Sequence, residues 1–205
     1  MQSNAIAPVE AKTREQATYE SIRRAIVEGQ LGQGERLVVS RLALDLGVSR
    51  ITVANALKRL AGEGFVRLTP HKEGMIAPLD ARAVREIYLM RAELEALSAR
   101  EAAPKATTFD LDALRALNDQ IHRLPKASEA DIRVLRGVDF EFHRRLRAIA
   151  GMPLLASTLE NLADRCEAYR ARLLDHHLVY IPAAARHEPI LAALADGDDE
   201  AVGPL

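Results

Sequence analysis

Apolar positions along this chain fall at helical spacing almost throughout, with one short interval where β-prone runs replace it. Thr13 and Gln16 form a capping-box pair, and Ala17, Ile22, Ala25 and Ile26 then continue a helix that Gly29 can close. Leu42 and Leu46 lie one turn apart on a second, short helix; Gly47 suits the left-handed conformation that ends it, and Val48 offers an apolar plug at the turn. Ser49 reads as the N-cap of a third helix, whose apolar side is Val53, Leu57 and Leu60. Directly after Gly64 come the β-prone runs Phe65–Thr69 and Met75–Ala77, separated by Pro70-His71-Lys72-Glu73-Gly74, the composition of a hairpin turn.

Beyond Pro78 the pattern changes. Asp80 is a candidate N-cap, and from Ala81 onward the spacing is helical with breaks near Pro104–Thr108, Pro125–Ser128, Gly151–Pro153, Tyr180–Pro182 and Gly197. These breaks delimit about five further helices, with neither strand-like alternation nor an internal repeat among them. The expected fold is therefore mainly α: a loose arm over residues 1–12, a winged helix-turn-helix over 13–78, and an all-helical bundle over 79–205.

The outward side of the third helix gives the first domain its chemistry. At 100° per residue, Ile51, Thr52, Ala54, Asn55, Lys58 and Arg59 face away from Val53, with Arg50 at the edge of the arc. This face carries donors, positive charge and no carboxylate. It suits a major groove, where the positive helix N-terminus attracts phosphate, Arg50 reaches guanine acceptors and Asn55 bridges an adenine edge. Arg41 and Ser49 flank the turn as further candidates, and His71 and Lys72 at the hairpin tip are placed for the DNA backbone or minor groove. A solvated amphipathic helix is the commoner explanation of any one such face, but a hairpin following a helix-turn-helix so closely favours double-stranded DNA. A winged helix used only for protein contacts is the alternative, and it would lack the steep salt dependence of phosphate binding.

Charge sharpens this reading. Over 205 residues the net charge is −1, yet Arg36, Arg41, Arg50, Lys58, Arg59, Arg67 and Lys72 face only Asp45 and Glu63 between positions 36 and 72. That segment carries +5, leaving −6 for the remainder. One cysteine, Cys166, excludes an internal disulfide framework and fits a reducing cytosol, with a small buried filler as its expected role. No apolar run approaches the roughly 18 residues of a membrane span, and the N-terminus lacks a signal-peptide core, so the expected location is the cytoplasm, at the nucleoid.

In the second domain, Asp139 and His143 fall about 40° apart on the stripe shared by Leu135, Phe142 and Leu146. Burying both costs several kcal/mol unless they pair with each other or bind a cation. His187, on the apolar face with Ile190, Leu191 and Leu194, makes a set of two imidazoles and a carboxylate suited to Zn²⁺, Ni²⁺, Mn²⁺ or Fe²⁺. The same donor set occurs in metal-dependent enzymes, although no general base stands out beside it. Arg91 shares a stripe with Val84, Ile87 and Leu94, where an inward guanidinium wants a carboxylate: either Glu95 one turn on, or a small carboxylate ligand between Arg91 and the metal. His122, at a polar helix end, is expected to be solvated.

Two resemblances follow from these residues. From about Tyr19 to Ala77, the segments IVEGQL, GERL, LALDLGVSR, VANALKRL and EGFV, with a hairpin closing on Gly74, resemble the winged helix of GntR-type bacterial transcription regulators. Ala54-Asn55 stands where that family commonly has Arg-Glu, and Ile51-Thr52 where it has Thr-Pro, which places the difference at base-reading positions. The segment 87–95, Asp139 and His143, and His187 leading into Ile-Leu-Ala-Ala-Leu resemble the FCD domain of the FadR-like branch. The resemblance implies a homodimeric regulator, a repressor foremost, whose operator affinity is set by a small organic acid bound at a divalent metal. The family usually continues through one more helix with a further histidine, whereas this sequence stops at Leu205, so the expected bundle lacks its last helix. The fourth metal position would then fall to water, to His176 or to His177, or metal binding would be weakened or lost.

Overall fold

The structure is a computed structural model, and it describes residues 14–68, 74–124, 128–173 and 183–197. The arm, the hairpin tip with His71 and Lys72, and the pair His176 and His177 lie outside the described residues. The chain divides into two compact units, Met1–Ala81 with Asp164–Asp175, and Arg82–Ala163 with His176–Leu205.

In the first unit, α1 (Arg14–Val27) packs against α3 (Arg50–Gly62), with the short α2 (Val39–Asp45) beside α3. Tyr19, Ile22 and Ile26 of α1 meet Val53, Ala56, Leu57 and Leu60 of α3 in one core, which Leu37, Phe65, Val66 and Ile76 complete. Ala17, expected on the inner face, is exposed; Thr18 and Tyr19 take that side instead, and the Thr18 hydroxyl donates to the Arg14 carbonyl at 2.7 Å. Gly47 adopts φ 64° at the turn, and Ser49 caps α3 by accepting from the Thr52 amide at 3.1 Å.

The hairpin forms as β2 (Val66–Leu68) and β3 (Gly74–Ile76), paired antiparallel with Val66 opposite Ile76. A third strand joins them. Arg36–Leu37 forms β1, pairs with the other edge of β3, and makes the sheet order β1-β3-β2. Two residues leave no periodicity to read, so this strand was not legible in the sequence. Gly74 opens β3 within the sheet, where an added Cβ would lie 3.2 Å from Val66 Cγ1 and 3.4 Å from both Leu37 Cβ and Leu57 Cδ1.

The second unit is helical: α4 (Ala81–Ala102), a 3-10 turn (Ala103–Lys105), α5 (Thr108–Arg123), α6 (Glu129–Ala150), the first part of α7 (Pro153–Leu173), and α8 (Ala183–Asp196). Three of the breaks have a local cause, while the one expected at 180–182 lies outside the described residues. Thr107 with Asp110, and Ser128 with Asp131, form reciprocal capping boxes that start α5 and α6. Gly151, at φ 69°, ends α6, and Pro153 opens α7 at a position that needs no amide hydrogen. Ala96, Ala99 and Ala102 of α4 bury small side chains against Leu114 of α5, Phe142 and Leu146 of α6, and Ile190 and Leu194 of α8. Among the described residues no helix is long and apolar enough to cross a membrane.

Candidate functional sites

The reading face of α3 has two parts. Arg50 and Lys58 are exposed and carry neither ion pair nor hydrogen bond among the described residues, so their charge is available. Arg41 is exposed too and sits 3.8 Å from Asp45 one turn on. Ser49 and Thr52 spend their hydroxyls on each other, 2.8 Å apart, while fixing the helix start. Ile51 stands 74% exposed, an apolar group held out on a polar face where a thymine methyl would meet it.

The remaining two candidates are held from behind. Asn55 Nδ2 donates to Glu15 Oε2 at 3.1 Å. Arg59 departs further from the expected outward pose: Nη1 donates to Gln16 Oε1 at 2.6 Å, Nε to Glu63 Oε1 at 3.3 Å, and the guanidinium carbon lies 3.6 Å from the Tyr19 ring centroid. A guanidinium satisfied on both edges and one face secures α1 to α3 rather than reaching a base. Neither Glu15 nor Gln16 was named as a partner from sequence, because contacts across 40 and 43 residues leave no local trace.

In the bundle, α6 and α8 bring Asp139, His143 and His187 together, with one ligand atom from each within 4.8 Å of the others. His187 is 1% exposed and stacks on the Phe142 ring at 3.8 Å. Its orientation is set by a residue the sequence reading did not single out. Asn118, 2% exposed on α5, directs Nδ2 to Glu188 Oε1 at 2.8 Å. A carboxylate only accepts, so the Asn118 carbonyl oxygen must face His187, 3.0 Å from Nδ1. His187 therefore donates through Nδ1, and its basic Nε2 points at Asp139 Oδ1, 3.3 Å away, with no hydrogen bond. Asn118 sits one turn from Leu114 and Ile121 on the buried face of α5, and that placement was the available signal.

Burial pushes the His143 imidazole below its ordinary pKa, a shift that the Glu95 and Asp139 carboxylates oppose without reversing. Neutral imidazole is the form that binds a metal. Glu95 Oε2 lies 3.9 Å from His143 Nδ1, and Glu95 Oε1 accepts from Arg91 Nε at 3.0 Å and Nη2 at 2.6 Å. Burial alone would raise the Glu95 pKa, but His143 and then Arg91 outweigh it and hold the carboxyl below its usual range. Of the two partners open to Arg91, Glu95 is the one in place. His122 is exposed at its helix end as expected, 3.7 Å from Glu188 Oε1, and Cys166 is buried and outside any disulfide, also as expected.

Comparison with known proteins joins these sites. The FCD domain profile matches residues 86–204, and that of the bacterial regulatory proteins of the gntR family matches 14–73. The Nta operon transcriptional regulator of Aminobacter aminovorans is 38% identical over 82 residues, 40% of this chain and 39% of that protein. The chain thus spans well under half the length of that relative. The HTH-type transcriptional repressor RspR of Escherichia coli (strain K12) is 27% identical over 91% of this chain and 81% of its own. Among solved structures, E. coli McbR/YncC superposes with a TM-score of 0.73 at 24% identity, covering 93% of this chain and 90% of that one, a likeness of fold.

Proposed function

The chain belongs to the GntR family of bacterial regulatory proteins, with an FCD domain after the winged helix, and from that premise we propose how this DNA-binding transcriptional regulator is controlled. It acts in the cytoplasm as a homodimeric repressor of a metabolic operon. The two reading heads span half-sites about one helical turn, or a multiple, apart. Arg50 and Lys58 supply phosphate and base contacts, and Ile51, Thr52 and Asn55 tune the sequence that is read. The effector is a small organic acid bound in the bundle.

The observation that carries the acid site is the His187 Nε2 atom: fully buried, without a hydrogen bond, and turned by Asn118 toward the Asp139 carboxylate. A lone pair facing a carboxylate oxygen is unfavourable in a low-dielectric interior unless a proton or a metal cation stands between them, and the convergence of His143 on the same point favours the metal. Asp139, His143 and His187 are the residues that would hold a divalent ion such as Zn²⁺, Ni²⁺, Mn²⁺ or Fe²⁺. When bound, such an ion supplies positive charge with coordination positions open to a carboxylate. Asn118 fixes the His187 tautomer, and Glu95 holds Arg91 inward beside the site, where the guanidinium can meet the other end of a dicarboxylate.

The test is calorimetric titration of metal-loaded protein with small dicarboxylates and sugar acids, alongside retention of an operator fragment. Acid binding should lower operator affinity, and operator should lower acid affinity by the same factor. Tight acid binding that leaves operator affinity unchanged would refute the control mechanism.

A further inference from the structure

Arg147 is the one described arginine of the second unit that is more than nine-tenths buried, at 7% exposure, and it has neither hydrogen bond nor ion pair. It stands one turn beyond His143 on α6, its guanidinium carbon 5.7 Å from the Phe140 ring centroid. Burial works against its charge, and the Glu95 and Glu160 carboxylates, which favour that charge, do not come within ion-pair reach. An arginine cannot escape the cost of burial by losing its proton, and this one, with its stem buried and no carboxylate in ion-pair reach of its head at the cleft, is open to an anion.

The space beside it suits one. Arg147 lines a cleft of about 370 Å³ between the end of α6 and the start of α7, together with Arg144, Met152, Pro153, Ala156 and Glu160. The start of α7 borders the cleft through Met152, Pro153 and Ala156. Met152 has no side-chain oxygen to offer, and Ser157 and Thr158 both turn their hydroxyls to the Leu154 carbonyl, at 3.0 and 2.8 Å. The Leu154 and Leu155 amides therefore remain among the orphan donors of the helix end, where the dipole adds to the attraction for negative charge. Arg144, now forked onto Glu141 at 2.7 Å through both Nε and Nη2, is a second guanidinium at the rim. Glu160, exposed on the opposite wall, repels a bare anion but accepts from hydroxyl groups.

We propose that this cleft binds a small oxyanion that carries hydroxyl groups, with Arg147 and the α7 amides on the anion and Glu160 on the hydroxyls. The shared chemistry is a polyhydroxylated anion; a phosphate ester and a sugar acid are its two sources. None of the residues belongs to the Asp139, His143 and His187 set, so the site stands or falls apart from the metal reading.

The test titrates the full-length protein, first treated with chelator, with inorganic phosphate, ribose 5-phosphate and gluconate, following heat and the Leu154 and Leu155 amide resonances. Ribose 5-phosphate or gluconate should bind saturably, and whichever binds identifies the source. Arg147→Met should weaken that binding at least about tenfold at an unchanged melting temperature. If that variant fails to fold, Arg147→Lys, which keeps the charge without the fork, should still weaken it several-fold. Glu160→Gln should narrow the advantage of the hydroxylated ligand over inorganic phosphate. Binding of none of the three, or binding indifferent to Arg147, would overturn the proposal, and an effect only in metal-loaded protein would assign it to the other site.

Discussion

The guanidinium of Arg59 lies 3.6 Å from the centre of the Tyr19 ring, and Glu63 accepts from both residues, from the Tyr19 hydroxyl at 2.6 Å and from Arg59 Nε at 3.3 Å. Three side chains from α1, α3 and the turn after it thus form one joint, which makes Arg59 a structural cation, unlike Arg50 and Lys58 of the same helix, which are exposed and unpaired among the described residues. Arg59→Ala should lower the stability of the head by about 1 kcal/mol, through loss of the cation–π contact and the hydrogen bonds. Arg50→Ala and Lys58→Ala should leave thermal melting unchanged, weaken operator binding, and each reduce the salt slope by about 1. Operator affinities across a salt series, measured beside melting curves, separate the two classes. An Arg59→Ala protein that melts normally and loses DNA as Arg50→Ala does would contradict this assignment.

The same joint predicts an alkaline transition. Burial first, and then the Glu63 hydrogen bond, push the Tyr19 hydroxyl from 10.0 to about 12. A raised native pKa means that the folded state retains its proton where the unfolded chain has lost it. The contribution is therefore fully present below about pH 10 and declines as pH rises toward about 12. Urea midpoints of the wild type and Tyr19→Phe, compared at pH 9, 10, 11 and 12, should converge across that window, because only the wild type carries this ionisation.

Asn118 offers a test of the metal centre that touches none of its ligands. Asn118→Leu removes the acceptor that holds the His187 proton on Nδ1, so Co²⁺ or Zn²⁺ affinity should fall about 10- to 100-fold, the usual range for an outer partner of a ligating histidine. Competition with a chromophoric chelator reads the change. Unaltered affinity would mean that Asn118 has no part in presenting His187.

Gly74→Ala should be more damaging than a small substitution in a surface hairpin suggests. Its Cβ would stand 3.2 Å from Val66 Cγ1, so that methyl must give way between Leu37 and Leu57 already at contact distance, and overpacking of this kind costs about 1–3 kcal/mol. A fall in the urea midpoint of the first unit checks it.

How much was legible follows from the range of each interaction. Ser49, Gly47, Gly151 and the helix breaks act over one turn, and the sequence alone located them. Asp139, His143 and His187 were found because ionisable groups on an apolar stripe conflict with burial whatever the tertiary fold. Asn118 and Arg147 obey the same rule, on α5 beside Leu114 and Ile121 and on α6 one turn beyond His143, but a single polar residue on a stripe is a weaker signal than a pair. The hold on Arg59 and Asn55 was beyond reach, since it depends on α1 crossing α3 and no spacing along the chain encodes that crossing.

The bond between Asn55 Nδ2 and Glu15 Oε2 joins α3 to α1. A carboxylate on α1 decides whether the Asn55 amide is at liberty or tethered, so a change at position 15 would alter what the outward face of α3 presents without altering any residue of α3 itself. The chemistry displayed by one helix is thereby set partly by the sequence of another.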